Sequence, residues 1–488
     1  MLQNASAHGH QRQPPRAALW LGVGTVGLWL LALGLRFWGL GRFNTLVFDE
    51  IYFAKFAQNY LTQTPFFDAH PPLGKYLIAL GIALEGFNPW GFRWMNALVG
   101  SWIPLIGIGL AFQLTRRTGV ALLCGFLLCL DGLFLVESRY ALLNIYLVFF
   151  GLAGQLCLML AITAPGWRRR AWIVLAGLLF GATVSVKWNG LGLLFGFHLL
   201  WLIVVGVGGF RQILQKTGLH RSKVRGLAGE NPSKEAALPL QNLRCLTFFD
   251  LFILLPLVAL IVYGLQWIPH LMQNPGYNLW RLNYEMFAYH SRVGSGAETH
   301  AYCSTWYSWP LMLRPVSYFF ERALSLAEPL PILGPTLPMA AARYFYSVYA
   351  MGNPVLWWFS TLALLWVLGR GLIQLGCALF WTDSAVSSLA SWVYAYLGVN
   401  YLANLLPWAA ISRCAFIYHY LPASFFGTLA LGWAIVELLR SRHGGVRQLG
   451  FAVLGLCVGG FLFWLPFFLG LPLTPEAWRL RLWFASWI

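Results

Sequence analysis

Charge is what this sequence has least of. Across 488 residues only 10% are Asp, Glu, Lys or Arg, against about 25% in a water-soluble domain. That is too little ionic surface for a soluble, disordered or fibrous chain, and those classes are excluded. Acids are the scarcer sign: 16 Asp and Glu stand against 33 Lys and Arg, a net charge of +17. In a soluble chain such a surplus would point to nucleic acid. Here the cations fall between long apolar runs, the pattern of cytoplasmic loops lying against anionic lipid. The partner surface is therefore membrane lipid, with no role for nucleic acid.

Other absences narrow the class further. The eight cysteines lie mostly in apolar segments, form no C-x-x-C and suggest no pairing by spacing, so neither a disulfide framework nor a thiolate metal site is expected. No GxxxxGK[ST] or HExxH occurs, which argues against an ATP-driven pump and a zinc protease. No motif implies a metal or a cofactor. No A-x-A site follows the first apolar run, which reads as an uncleaved span. There is no internal repeat and no room for a soluble domain.

What the chain does have is apolar runs of the length a bilayer requires, about 20 residues for a helix crossing a core of ~30 Å. Eleven lie near 18–38, 94–114, 119–136, 141–163, 171–186, 189–209, 248–268, 353–372, 388–411, 417–439 and 448–469. The expected fold is an all-α polytopic membrane protein, a single transmembrane domain spanning 1–488. The loops at 115–118, 164–170 and 440–447 contain no acid, and the loop at 211–247 holds seven basic residues and two acids. This bias places them and the N-terminus in the cytoplasm. Two long outer segments follow, 39–93 and 269–352, with the C-terminus on their side. Both are rich in Trp, Tyr, Phe and Pro, as interfacial amphipathic helices are.

Polar residues gather on that outer side. Asp49 and Glu50 open a stretch in which Phe53, Phe56, Ala57, Tyr60 and Leu61 share one helical face. Asp49 lies one turn before Phe53, so it is either a carboxylate aimed at an apolar layer or a helix cap. Asp68, His70 and Lys75 follow around the Pro71-Pro72 pair. Asp131 lies inside the third apolar run, where an acid is costly and usually functional. Arg139, Lys187, Arg413 and His419 each sit at an outer span end. Singly, each reads equally well as a cation snorkelling to head groups. Together they suit a lipid phosphate, which arginine binds through two parallel hydrogen bonds. In the second outer loop His290, His300, Trp306, Trp309 and Arg314 fit a carbohydrate or peptide subsite, or an interfacial aromatic belt. Met351 to Pro354 read as a helix start.

Several of these segments have a familiar form. FDE at 48–50, HPPLGK at 70–75, SRYALL at 138–143, SVKW at 185–188, WYSWPLMLRP at 306–315, MGNPVLWW at 351–358, YHYLPA at 418–423 and the terminal WRLRLWFASWI span nearly the whole chain. In them the chain resembles the protein O-mannosyltransferase family, membrane glycosyltransferases of the GT-C class. It looks like the bacterial branch, since 269–352 cannot hold the MIR domain of eukaryotic relatives. The resemblance implies transfer of mannose from a polyprenyl (dolichyl-type) phosphate mannose to Ser or Thr hydroxyls of exported proteins, at the plasma membrane. It also implies that Asp49 and Glu50 are the catalytic acid pair, with Asp49 the reacting carboxylate, and that Arg139 and Arg413 face the donor phosphate. Two positions depart from the family: Asn144 stands where bacterial relatives usually have Asp, and His300-Ala301-Tyr302 replaces His-Pro-Tyr.

The chemistry needs few parts. A hydroxyl acceptor requires a base, and a phosphate leaving group requires cations but no acid. One displacement inverts the sugar; retention would need a second carboxylate, for which Glu50 is the nearby candidate. Two other readings share the composition. One is a GT-C transferase moving a pentose or aminosugar onto a lipid such as lipid A. The other is a transporter, whose repeats and midplane polar helices are missing here.

Overall fold

The computed structural model describes residues 15–216, 242–292, 300–380 and 389–488. Most of the basic loop at 211–247 lies outside these residues, as does Asp383, between the eighth and ninth apolar runs. Each of the eleven apolar runs contains a helix. Among the described residues, eight helical segments are both long and apolar enough to cross a membrane. They contain α1 (Pro15–Phe37), α4 and α5 (Pro89–Ser101, Ile103–Thr115), α8 (Asn144–Thr163), α10 (Leu191–Lys216), α11 and α12 (Leu255–Gln266, Ile268–Gln273), α14 (Pro354–Phe380), α16 (Leu421–Leu439) and α17 (Gly444–Leu469).

The other three runs fall short for physical reasons. The third is cut into α6 (Thr118–Cys129) and α7 (Gly132–Glu137) because Asp131 caps the second piece. The fifth, α9 (Gly166–Val184), begins with Arg168, Arg169 and Arg170. The ninth, α15 (Leu389–Leu405), has 17 residues. α8 and α16 are the most enclosed of the eight segments, whereas α1 turns Leu19, Trp20, Val23 and Leu30 outward on its lipid side. Tight contact in the core depends on small residues. A Cβ at Gly432 of α16 would lie 2.5 Å from the Cys124 sulfur of α6.

The first outer segment forms α2 (Glu50–Leu61) and α3 (Leu73–Glu85), and the second contributes α13 (Leu279–Arg292). α2 buries Phe53, Ala57 and Tyr60, as its periodicity predicts, but leaves Leu61 exposed. The second segment also holds something the aromatic-belt reading does not anticipate. β1 (Val316–Ala323) pairs antiparallel with β2 (Tyr344–Ala350), and β2 with β3 (Pro472–Leu473). Val-Ser-Tyr-Phe-Phe and Tyr-Phe-Tyr-Ser-Val are strand-forming runs, and aromatic side chains pack well on a pleated surface. Partners run Ser317 to Tyr349 and then Phe319 to Val348, so Tyr318 is the extra residue of a bulge. Bulges re-aim side chains, and Tyr318 is turned into the protein.

A disulfide joins Cys303 to Cys414 across 111 residues, with Cα atoms 5.2 Å apart. This corrects the expectation of no pairing: the partners lie on two distant loops that only the fold brings together. Ser304 N donates to Ala415 O at 2.8 Å beside it.

Candidate active site

Phe48 takes the left-handed conformation (φ 51°) and stacks on Tyr318 with ring centroids 4.1 Å apart. That turn sets Asp49 at the head of α2. Its side chain makes no capping bond, so the cap alternative does not describe it. Among the described residues its carboxylate takes no hydrogen bond, and it is half-buried, open enough for a ligand to reach. Burial raises its pKa to about 6, with Lys187 nearby opposing the rise and Asp68 adding to it.

Lys187 enters from the turn between α9 and α10. Leu73 N donates to Ser185 O at 3.0 Å, which ties the start of α3 to that turn. Gly74 keeps this junction tight: a Cβ there would lie 3.3 Å from Val186 Cγ1 of that turn and 2.7 Å from Leu143 Cδ2. Lys187 Nζ donates to Asn144 Oδ1 at 3.0 Å and lies 5.6 Å from the Tyr418 ring centre. Asn144 Nδ2 in turn donates to Glu137 Oε2 at 3.0 Å, and Tyr318 donates its hydroxyl to Glu137 Oε1. Glu137 is fully buried. Sequence reasoning passed over it, although an acid in a nearly continuous apolar run beside a hairpin tip is itself a signal.

Beside this cluster a cavity of about 900 Å³ opens. Its lining holds the basic and imidazole side chains of His70, Lys187, His290, Arg413 and His419, the polar Asn189, His198 and Asn404, and a larger apolar set that includes Leu191, Leu194, Phe195, Leu202, Phe252 and Pro256; Asp49 stands near Lys187 but is not among the lining residues. Arg413 is half-buried and lines the cavity, and its one hydrogen bond among the described residues goes to the Cys414 carbonyl at 3.3 Å. The disulfide at Cys414 anchors that loop. Burial and nearby cations hold His70 well below its usual pKa, and burial likewise lowers His290. Both rings are therefore neutral near pH 7, and His290 Nε2 contacts Ala69 O at 2.8 Å. Among the described residues no group of three or more His, Cys, Asp or Glu side chains is placed to hold a metal.

The remaining candidates have other work. Glu50 is fully buried and bonded at both oxygens: Oε1 accepts from Arg93 Nε at 2.9 Å and Ala141 N at 2.8 Å, Oε2 from Arg93 Nη2 at 2.7 Å and Val47 N at 2.8 Å. It has nothing left with which to attack a sugar. Arg139 is a correction of the same kind. Its guanidinium donates to the carbonyls of Leu35, Arg36, Trp38 and Gly39 at 2.8–3.2 Å, closing the end of α1 rather than facing the cavity. Asp131 accepts from Leu133 N, Phe134 N and Trp357 Nε1 and is structural. Asp68 pairs with Lys75, which also donates to His70 O at 2.7 Å, fixing the loop that carries His70. Trp309 is buried against Trp408 and His419, with Nε1 bonded to Ser304 at 2.8 Å. His300 is exposed beside Phe416, and Arg314 binds the carbonyls of Ala301 and Ser486, latching the C-terminal segment.

A test of the Arg139 assignment follows. Arg139→Ala should lower the unfolding temperature in detergent, because each buried acceptor left unpaired costs about 1–3 kcal/mol. The folded fraction should keep its apparent KM for a lipid-linked donor. A raised donor KM at unchanged stability would return Arg139 to the phosphate site.

The sequence matches the family described as dolichyl-phosphate-mannose-protein mannosyltransferase over residues 26–90 and 85–273. It matches the C-terminal four TMM region of protein-O-mannosyltransferase over 276–487. The chain belongs to the protein O-mannosyltransferase family. Within the family it is 25% identical over 518 residues to the polyprenol-phosphate-mannose–protein mannosyltransferase of Mycolicibacterium smegmatis, covering 94% of this chain and 91% of that one. The Mycobacterium tuberculosis protein of the same description is 25% identical over 508 residues, covering 96% and 92%. The S. cerevisiae protein O-mannosyltransferase Pmt1–Pmt2 complex bound to the sugar donor shares the fold, with a TM-score of 0.72 at 16% identity over 97% of this chain and 93% of that one. The architecture is that of the GT-C membrane glycosyltransferases.

Proposed function

We propose that this chain transfers mannose from a polyprenyl phosphate mannose to Ser or Thr hydroxyls of exported polypeptides, with inversion and with Asp49 as the base. The observation that carries the reading is a cavity lined both by the cations Lys187 and Arg413 and by a large set of apolar side chains, with the unbonded carboxylate of Asp49 in the field of Lys187. A polyprenyl phosphate has the same two-part chemistry. Its chain fits the trough along α10 and the facing Phe252 and Pro256. Its phosphate fits Lys187 and Arg413, with the neutral ring of His70 able to donate a hydrogen bond. The acceptor oxygen attacks the anomeric carbon, the bond to the phosphate oxygen breaks, and the hydroxyl proton passes to Asp49. The phosphate leaves as an anion, held by the two cations, and no general acid is required.

The sidedness supports the same reading. The disulfide-bonded Cys303 and Cys414 lie on the loops around the site, whereas Cys245, on a loop bonded to Arg169, is an exposed free thiol. Disulfides belong to oxidising compartments, so the site faces outward from the plasma membrane, and the N-terminus and the basic 211–247 loop face the cytoplasm. The first outer segment, 39–93, carries the base, and the second, 269–352, closes over it.

The test is turnover of purified protein with labelled polyprenyl phosphate mannose and a Ser/Thr-rich peptide, with a lipid A acceptor in parallel. Labelled peptide is expected; label only on the lipid would replace the protein acceptor with a lipid one. Arg413→Ala should raise the donor KM about 10- to 100-fold, since a hydrogen bond to a charged group contributes about 1.5–3 kcal/mol. The peptide KM should stay put. An unchanged donor KM would remove Arg413 from the phosphate site.

A further inference from the structure

Lys187 stands in the field of three carboxylates, Asp49 and Glu137 most strongly and then Asp68, and among the described residues bonds to none of them. Its ammonium donates to Asn144 Oδ1, and Asn144 passes the contact on to Glu137 through Nδ2, each step 3.0 Å. The amide orientation follows from its partners. An ammonium offers only donors and so requires Oδ1; a carboxylate offers only acceptors and so requires Nδ2. Tyr318, the bulge residue of β1, occupies the other oxygen of Glu137. Glu137 and Asn144 are both buried. The result is a relay, Tyr318 to Glu137 to Asn144 to Lys187, that ends at the cavity wall.

An ammonium in the field of a half-buried carboxylate is drawn to pair with it. Asp49 nonetheless remains unbonded. We propose that Glu137 is a positioning residue of the transfer reaction: acting through Asn144, it retains Lys187 on the cavity wall, so that Asp49 keeps an open lone pair for the acceptor hydroxyl and the ammonium stays available to the donor phosphate. This rests on the reading of Asp49 as the base. The relay also accounts for an amide at 144. A carboxylate there would face Glu137 at about 3 Å, and two carboxylates that close cannot both ionise. The site has room for one negative charge in the relay, at 137 or at 144.

That symmetry supplies the experiment. Glu137→Gln, Asn144→Asp and the double exchange are purified beside Asp49→Asn and assayed for kcat and donor KM, with thermal unfolding in detergent as a check of fold. In the double variant the glutamine carbonyl still accepts from Tyr318, its amide donates to the new aspartate, and that aspartate meets Lys187 directly. Glu137→Gln should lower kcat about tenfold or more with donor KM changed less than about threefold, the pattern of an interaction that matters in the transition state. The double variant should return kcat to within about threefold of wild type, a coupling that independent sites do not show. A role confined to packing β1 against α7 would give no such rescue. A folded double variant no faster than Glu137→Gln overturns the proposal, as does Glu137→Gln turning over at the wild-type rate. Should Glu137→Gln fail to fold, the double variant decides alone: restored turnover supports the relay, and an inactive or unfolded double variant overturns it. Asp49→Asn separates the two ideas. Activity there sinks the base, whereas an unrescued exchange with Asp49→Asn inactive sinks only the role of Glu137.

Discussion

Asp49→Asn is expected to abolish sugar transfer while the protein stays folded and still binds its lipid donor. Asparagine keeps the size of the side chain, and no capping bond is lost because Asp49 makes none. What disappears is the ability to take up a proton. General-base catalysis is typically worth 10²–10⁴-fold, roughly 3–5 kcal/mol. The neighbouring carboxylate cannot take over, since both oxygens of Glu50 are occupied by Arg93 and by backbone amides. The wild-type pH profile should carry the same signature. The base works as the carboxylate, and its pKa is raised to about 6. Turnover should therefore be level above that pH and fall about tenfold per unit below it. Purified Asp49→Asn compared with wild type on one peptide decides the matter. Turnover above about a tenth of wild type, short of even the 10²-fold minimum for a base, would remove Asp49 from the chemistry.

Much of this architecture is legible in the sequence, for reasons specific to membranes. Apolar runs near 20 residues are hard to mistake, and a charge at the end of one is costly enough to stand out. Lys187, Arg413 and His419 are visible in that way, His70 through its cluster with Asp68 and Lys75 around Pro71-Pro72, and the fold brings all four to one cavity. What the sequence does not reveal is which buried charges are already paired. Arg139 and Lys187 look alike as cations at outer span ends. One is used up on four carbonyls at the end of α1, and the other has a single bond and faces the cavity. Asp131 and Glu137 look alike as acids among apolar residues. One caps α7 and the other joins the cluster at the site. Each distinction depends on a residue more than 100 positions away, such as Arg36 for Arg139 or Tyr318 for Glu137. The Cys303–Cys414 bond is hidden for the same reason. The strands at 316–323 and 344–350 are hidden differently, because aromatic-rich segments near a membrane read equally well as an interfacial belt.

The same reasoning separates Glu50 from its neighbour by outcome rather than by degree. Glu50→Gln is expected to cost the fold, not the chemistry. Arg93 is fully buried, and all five of its N–H groups are used: two on Glu50 and the others on the carbonyls of Leu40, Phe43 and Thr45. This pair staples the segment 40–50 to α4, and through Ala141 N to the hairpin before α8. An amide at 50 removes the negative charge and turns an N–H toward groups that are themselves donors. Leaving one member of a buried ion pair uncompensated costs about 3–5 kcal/mol, a large share of the 5–15 kcal/mol that holds a typical protein folded. Glu50→Gln should therefore accumulate poorly, elute as aggregate and unfold at a lower temperature. Replacing both partners with apolar side chains, Glu50→Leu with Arg93→Met, should recover part of that stability, because no charge is then left buried alone. A catalytic Glu50 would behave in the opposite way. Its glutamine variant would unfold at the wild-type temperature, bind donor and fail to turn over. That result would place both carboxylates in the reaction and would reopen a retaining, two-carboxylate mechanism.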